Sequence, residues 1–237
     1  MERIPQLEPF IQSVATDASV RFVLLVGSAA EENESLHRIK DIDLLIVRDG
    51  EEPFSREVQS RDGLVLDVSW LTQDDLDKIV RKDNHYWIRM LARSKCLYKR
   101  NSEATVLVHK AKDLYFDGPE ALSPSDVSYQ RFQLTNLFED VLERADHETE
   151  AEFLANLFLV EALRVYFRLN GQWVPRDKKL LKTLFQTDII LYELMKAALR
   201  ERKVRRRIHL CQDILQYVLM PFGGIQKHWE KGCCPLT

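Results

Sequence analysis

The chain has 237 residues, of which 45% are hydrophobic and 30% are charged, and its formal net charge is −3. This composition is ordinary for a globular protein and excludes a general electrostatic attraction to nucleic acid or to anionic membranes. No apolar run reaches membrane-spanning length and the first residues lack a signal-peptide pattern, so a cytoplasmic protein without membrane partners is expected.

The first half of the chain alternates helix and strand patterns. Residues 6–18 predict a short amphipathic helix, and apolar runs at 22–26 and after Asp41 predict the first two strands. The stretch 49–62 is charged and is interpreted as a loop that contains a weak strand, and residues 64–70 predict the third strand.

Helix-start signals and one more strand follow in this half. Thr72-Gln73-Asp74-Asp75 has the spacing of a capping box, with Asp in place of the usual Glu, and predicts a helix to about Lys82. The remaining elements predicted here are a short helix at 85–92, a strand at 95–98, and a helix at 103–116 that ends at Asp117-Gly118-Pro119.

Beyond this breaker the pattern is helical only. Ser123-Pro124-Ser125 begins a long helix to about Arg144, a second runs over 149–169, and two or three more occupy 177–220. The sequence therefore predicts a fold of the α+β class, with an α/β domain that contains a mixed sheet over 1–118 and an all-helical bundle over 119–237.

Three aspartates interrupt the predicted strands. Asp41 and Asp43 face the same way because side chains alternate along a strand, while Ile42 points to the core. Asp67, within the apolar run of the third strand, would complete an oxygen-rich pocket if its strand lies beside theirs. Carboxylates at such distances repel one another unless a cation joins them, and hard oxygen ligands favour Mg²⁺ or Mn²⁺.

A purely structural interpretation of these residues stays open. Asp41 could be solvated at a polar edge and Asp43 could cap a turn, and for Asp67 this interpretation requires a buried salt bridge.

The Gly27-Ser28 pair directly follows the first apolar strand. A glycine lets the backbone approach a phosphate closely, and the Ser28 hydroxyl with the following amides can donate to β- and γ-phosphate oxygens. Taken alone the pair is also typical of a structural turn.

The set formed by the strand, Gly27-Ser28, Asp41-Ile42-Asp43 and the later Asp67 resembles the polymerase-beta-like nucleotidyltransferase superfamily over residues 20 to 70. With the long helical remainder, the chain looks most like aminoglycoside nucleotidyltransferases of the kanamycin nucleotidyltransferase type. The resemblance implies a nucleotidyltransferase-type first domain in which Asp41, Asp43 and Asp67 are catalytic and bind two Mg²⁺ ions, with Mn²⁺ as a substitute, while Gly27 and Ser28 bind the nucleotide.

The helical half resembles these proteins loosely, through Trp173-Val174-Pro175-Arg176-Asp177-Lys178. The resemblance favours Lys178 as a further phosphate contact. The alternative is a solvated lysine within a charged run.

The implied reaction is transfer of a nucleoside monophosphate, AMP from ATP in the first instance, to a hydroxyl of a small molecule such as an aminoglycoside-like acceptor, with release of pyrophosphate. Two alternatives stay open: a minimal nucleotidyltransferase that modifies protein or RNA, and a non-catalytic nucleotide-binding or antitoxin-like module. The sequence does not choose between a monomer and a homodimer.

Overall fold

The computed structural model describes residues 7–30, 41–61, 63–80 and 85–229. The chain divides into two compact units, residues 1–119 and 120–237. The first contains the described strands and the second is helical, which confirms the predicted α+β class.

A mixed five-stranded sheet of order β3-β4-β2-β1-β5 forms the centre of the first unit. The β2 and β4 strands pair in parallel, whereas the other neighbours are antiparallel. The strands are β1 (Val20–Val26), β2 (Asp41–Arg48), β3 (Ser55–Arg61), β4 (Leu64–Thr72) and β5 (Lys95–Lys99).

The two central strands, β1 and β2, are apolar along most of their length because helices and turns cover both faces of the sheet. On one face α1 (Glu8–Ala15) packs through Phe10 and Val14 against residues such as Leu44. On the other face, Leu45 and its neighbours pack under α2 (Gln73–Ile79), α3 (His85–Ala92) and α4 (Glu103–Asp117).

The strand predicted inside the charged stretch 49–62 is confirmed, and it is β3, a full strand of seven residues. It pairs with β4 from Ser55 to Arg61. As an edge strand it needs few apolar side chains, so its sequence, Ser-Arg-Glu-Val-Gln-Ser-Arg, shows little of the usual strand pattern.

The capping box predicted at Thr72 and the helix start predicted at Ser123 are confirmed. Thr72 and Asp75 exchange hydrogen bonds at the start of α2, and Ser123 and Asp126 do so at the start of α5 (Pro124–Glu143). Lys82, at the predicted end of α2, lies outside the described residues.

The helical unit continues with α6 (Glu148–Leu169), α7 (Leu180–Thr187), α8 (Ile189–Arg200) and α9 (Val204–Leu219). Its core is formed by apolar side chains at helical spacing, among them Phe158, Leu163, Leu191 and Ile214. No helix in the described part of the chain is both long enough and apolar enough to span a bilayer.

Candidate active site

The sheet brings the three predicted carboxylates onto one face. Asp41 and Asp43 begin β2 with the buried Ile42 between them, and Asp43 pairs in register with Asp67 of the parallel neighbour β4. Residues opposite each other in a sheet lie about 5 Å apart and point to the same side. The expectation that Asp67 would come from an adjacent strand is therefore confirmed.

This group lies at the beginning of β2, on the face that α2, α3 and α4 cover further along the strand. Leu45 and Val47, which follow Asp43 at strand spacing, belong to the core under these helices. The face thus changes from packed to accessible along one strand: Asp43 is half-buried and Asp41 is exposed. Such a position allows a solute to reach carboxylates that are fixed by a rigid sheet.

Gly27 lies directly beside Asp43. Val26, the last residue of β1, pairs with Asp43, and Gly27 follows with a φ of 69°. A Cβ at this position would lie 2.8 Å from the Asp43 Cγ and 3.2 Å from its Cβ, so a side chain would collide with the carboxylate. Sequence reasoning had assigned this glycine to phosphate approach, and the structure adds that Asp43 requires it.

The residues from Gly27 to Ala30 form one 3₁₀ turn. Ala29 and Ala30 are buried in the core and hold the turn, while Ser28 is half-buried between them and the end of β1. The chain's first turn after β1 therefore places a hydroxyl one residue from the glycine that contacts Asp43.

Arg56 is a site residue that sequence reasoning missed. Its Nε donates to Asp67 Oδ1 at 2.7 Å, and its Nη2 donates to the other carboxylate oxygen. Arg56 pairs with Ser69 in the β3–β4 ladder, which puts it diagonal to Asp67 on the same face. No local sequence signal could have identified it, because the contact depends on the register of an edge strand with little strand character.

The pair has clear electrostatic consequences. The Arg56 guanidinium lowers the pKa of Asp67, against the opposing effect of burial. The pKa of Arg56 is raised, chiefly by the hydrogen bond from its guanidinium to Asp67, with smaller contributions that include Tyr86 and Asp43. Asp67 is therefore held as a carboxylate, and as long as the pair persists it is a weak base.

The three carboxylates offer the hard oxygens that a divalent ion prefers and lie on one face, and Gly27 leaves space for the Asp43 carboxylate. Within residues 7–30, 41–61, 63–80 and 85–229, no three His, Cys, Asp or Glu side chains are already arranged as a metal site. At this face Asp67 is directed to Arg56. A salt bridge to Asp67 is thus present, but its Arg56 side chain is 60% exposed, whereas the structural interpretation required a buried pair.

Lys178 lies in the helical unit, in the 3₁₀ turn Asp177–Lys179, where it is exposed. The adjacent Asp177 accepts a hydrogen bond from Arg164 at 2.9 Å. The phosphate contact of Lys178 stays a prediction.

The helical unit also contains a concave surface that encloses a volume of about 710 Å³. Asp188, within this surface, caps α8 by accepting from the Leu191 N–H at 2.9 Å, and Tyr217 donates to both of its oxygens at 3.0 and 3.1 Å. Burial and this carboxylate raise the pKa of Tyr217, and burial first and Asp188 second raise that of Tyr166 to about 12. Tyr166, Tyr217 and Asp188, three of the polar residues that line this surface, thus interact with one another.

Comparison with known proteins identifies the fold. A crystal structure of a nucleotidyltransferase-like protein from Exiguobacterium sibiricum superposes with a TM-score of 0.55 over 92% of this chain and 74% of that chain, at 16% sequence identity. At this identity the likeness shows a nucleotidyltransferase-like fold. No protein-family model matches the chain, and no curated protein sequence matches it.

Proposed function

We propose that the protein is a metal-dependent nucleotidyltransferase that transfers AMP from ATP to a hydroxyl of a small molecule and releases pyrophosphate. The observation that carries this proposal is the register pairing of Asp43 with Asp67 beside the Gly27–Ser28 turn, on a nucleotidyltransferase-like fold. Like charges on adjacent strands lower stability, and a ligand that needs them explains their position.

In this proposal Asp41, Asp43 and Asp67 hold the divalent ions, and Ser28 donates to the triphosphate. Bound ions would neutralise the triphosphate and favour attack at the α-phosphorus. An acceptor hydroxyl oxygen forms a new bond to that phosphorus, the bond to the β-phosphate oxygen breaks, and pyrophosphate leaves. The hydroxyl proton passes to solvent.

The chain's own contribution is therefore positioning. A parallel strand pair fixes the carboxylates of Asp43 and Asp67 relative to each other, and the turn that follows β1 is fixed beside them through Gly27. Groups held on rigid strands align reactants at little entropic cost at the moment of reaction. An aminoglycoside-like acceptor is supported by the sequence resemblance alone, and Lys178 belongs to the proposal as a contact to the leaving pyrophosphate.

The test is release of pyrophosphate from ATP with Mg²⁺ or Mn²⁺ in the presence of a panel of aminoglycosides and other polyhydroxylated amines. Mass spectrometry of the acceptor should show the added AMP. Asp43→Asn is expected to abolish the signal, whereas Asp74→Asn on the exposed surface of α2 should leave it unchanged. Pyrophosphate release that persists in Asp43→Asn would overturn the assignment of the site.

One observation favours a second candidate, a nucleotide-binding module without catalysis. Arg56 already occupies both oxygens of Asp67, so the carboxylates are partly compensated without any metal. Binding of ATP with no transfer to any acceptor in the panel would support this candidate.

A further inference from the structure

The Arg56–Asp67 pair combines two side chains of different accessibility. The Asp67 side chain is 16% exposed, whereas that of Arg56 is 60% exposed and comes from the edge strand β3. The carboxylate is thus fixed within the sheet, and the guanidinium approaches it from the solvent side.

The guanidinium also occupies the place beside the Asp67 oxygens where a metal ion would have to bind. Both oxygens of Asp67 accept from Arg56, so neither can bind a cation fully while the pair persists. Asp43 lies in register with Asp67 on the adjacent strand and on the same face, so the guanidinium that contacts Asp67 is held at the edge of the carboxylate group.

We propose that Arg56 is the resident counter-cation of this site: it competes with the divalent ion for Asp67 and, when the metal and nucleotide bind, transfers its guanidinium to the polyphosphate. This inference rests on the proposed nucleotide site and adds a positioning residue to it.

The exchange is physically reasonable on both sides. An arginine on an edge strand that is mostly solvated forms an ion pair of modest strength, so a divalent ion that contacts two carboxylates can displace it. The planar fork that fits a carboxylate also fits a phosphate, and the long side chain can turn without any change in the β3 backbone. Displacement would thus deliver a positive charge to the face where the triphosphate adds negative charge.

The first experiment measures Mn²⁺ binding alone, by the loss of the free-ion signal in electron paramagnetic resonance. Arg56→Gln is expected to bind Mn²⁺ about fivefold to tenfold more tightly than the unmodified protein, because the competitor is gone. Arg48→Gln is the matched control, since Arg48 lies in the same sheet but pairs with Glu52 and stacks on Trp70. It should leave Mn²⁺ affinity unchanged, and an unchanged or weaker affinity in Arg56→Gln would overturn the proposal.

A double-mutant cycle separates direct competition from the general loss of a positive charge. Competition through Asp67 predicts that Arg56→Gln gives no gain in Mn²⁺ affinity when Asp67 is replaced by Asn. A gain that persists in the Asp67→Asn background would show a remote charge effect and overturn the competition. Arg56→Lys keeps the charge but loses the two-pronged contact, and it provides a second variant if Arg56→Gln folds poorly. Its Mn²⁺ affinity should lie between those of the unmodified protein and Arg56→Gln.

The second experiment titrates a non-hydrolysable ATP analogue by calorimetry at saturating Mn²⁺. Arg56→Gln is expected to bind the analogue about tenfold more weakly, the opposite sign to its effect on Mn²⁺ alone. Equal or tighter binding would overturn the transfer of the guanidinium to phosphate.

These outcomes are independent of the proposed reaction. A protein that never transfers AMP, yet shows both opposite effects of Arg56→Gln, would support this inference while the catalytic proposal fails. An active protein whose Mn²⁺ affinity does not change in Arg56→Gln would support the catalytic proposal and overturn this inference.

Discussion

The two units of this chain place their charged side chains in different ways. In the sheet unit, charged side chains that are distant in sequence meet: some are opposite in sign, such as Arg21 and Glu103, but Asp43 and Asp67 are alike and meet through strand pairing. In the helical unit, opposite charges meet within a few residues or across neighbouring helices. Glu161, for example, accepts from Arg164 and Arg168 on its own helix, and Lys196 donates to Glu193.

Under the proposed function, the difference separates polar groups that stabilise the fold from groups that bind a ligand. Local pairs of opposite charge contribute modestly to a helix and require no further partner. Two carboxylates in register lower stability unless a cation compensates them, and the Arg56 guanidinium forms a salt bridge with Asp67. The comparison predicts that substitutions in the sheet unit change ligand binding, while those in the helical unit change stability.

The largest effect is expected for Asp43→Asn. Loss of this carboxylate should lower nucleotidyl transfer by at least about a hundredfold, because the proposed metal site loses one of its carboxylates, while relief of repulsion keeps or raises the stability of the metal-free protein. Turnover and thermal melting measured on the same sample check both parts. Near-normal turnover would contradict the expectation that substitutions in the sheet unit change ligand binding.

A second test compares two glycines of similar backbone conformation. Gly27 and Gly63 have φ values of 69° and 80°, so alanine at either position should cost on the order of 1 kcal/mol of stability for the left-handed conformation. Only at Gly27 does the added Cβ meet the Asp43 carboxylate, whereas Gly63 has open space. Gly27→Ala should therefore lose metal and nucleotide affinity as well, measured by calorimetry, and equal behaviour of the two variants would make the Gly27 turn merely structural.

The exception within the helical unit is Lys178, and its substitution by Met tests whether that unit contributes to chemistry. If Lys178 contacts the leaving pyrophosphate, turnover should fall about tenfold, roughly 1.4 kcal/mol, because negative charge grows there during the reaction. Lys182→Met, at an exposed position of α7, is the matched control. Equal small losses in both variants would return Lys178 to the solvated surface and sharpen the division between the units.

The sequence predicted the fold well where periodicity and capping are local properties. The capping box at Thr72, the helix start at Ser123 and the alternation around Asp41-Ile42-Asp43 need only neighbouring residues to be recognised. The same alternation places Asp43 on a face with certainty once the strand is recognised, so a candidate site follows from the strand assignments.

What the sequence could not predict depends on pairing between strands. The contact from Arg56 to Asp67 requires the antiparallel register of β3 and β4, which a polar edge strand leaves unspecified in its own residues. The need of Asp43 for a glycine at 27 likewise appears only when the end of β1 lies beside the start of β2. The role of a position such as Lys178 is harder still to predict, because the sequence around an exposed residue in a charged run does not indicate its contacts.

The smallest effect is expected in the helical unit, for Tyr217→Phe. The phenol donates to Asp188, the cap of α8, so its loss should cost about 1 kcal/mol of unfolding free energy while Mn²⁺ affinity stays unchanged. Tyr192→Phe, whose ring packs edge-to-face on Phe185, serves as the control.

The pKa values of the two tyrosines also predict how the free energy of unfolding changes with pH. The folded protein raises the pKa values of Tyr217 and Tyr166, the latter to about 12, because burial and Asp188 disfavour the phenolate. Stability from these groups is therefore complete below the ordinary tyrosine pKa of about 10 and is lost as pH rises from there through the folded values. Denaturant unfolding at pH 8 and pH 11 should show a smaller alkaline loss in Tyr217→Phe than in the unmodified protein or in Tyr192→Phe. An equal alkaline loss in all three would mean that the Asp188 contact does not control it, and a fall in Mn²⁺ affinity would show that the helical unit acts on the metal site after all.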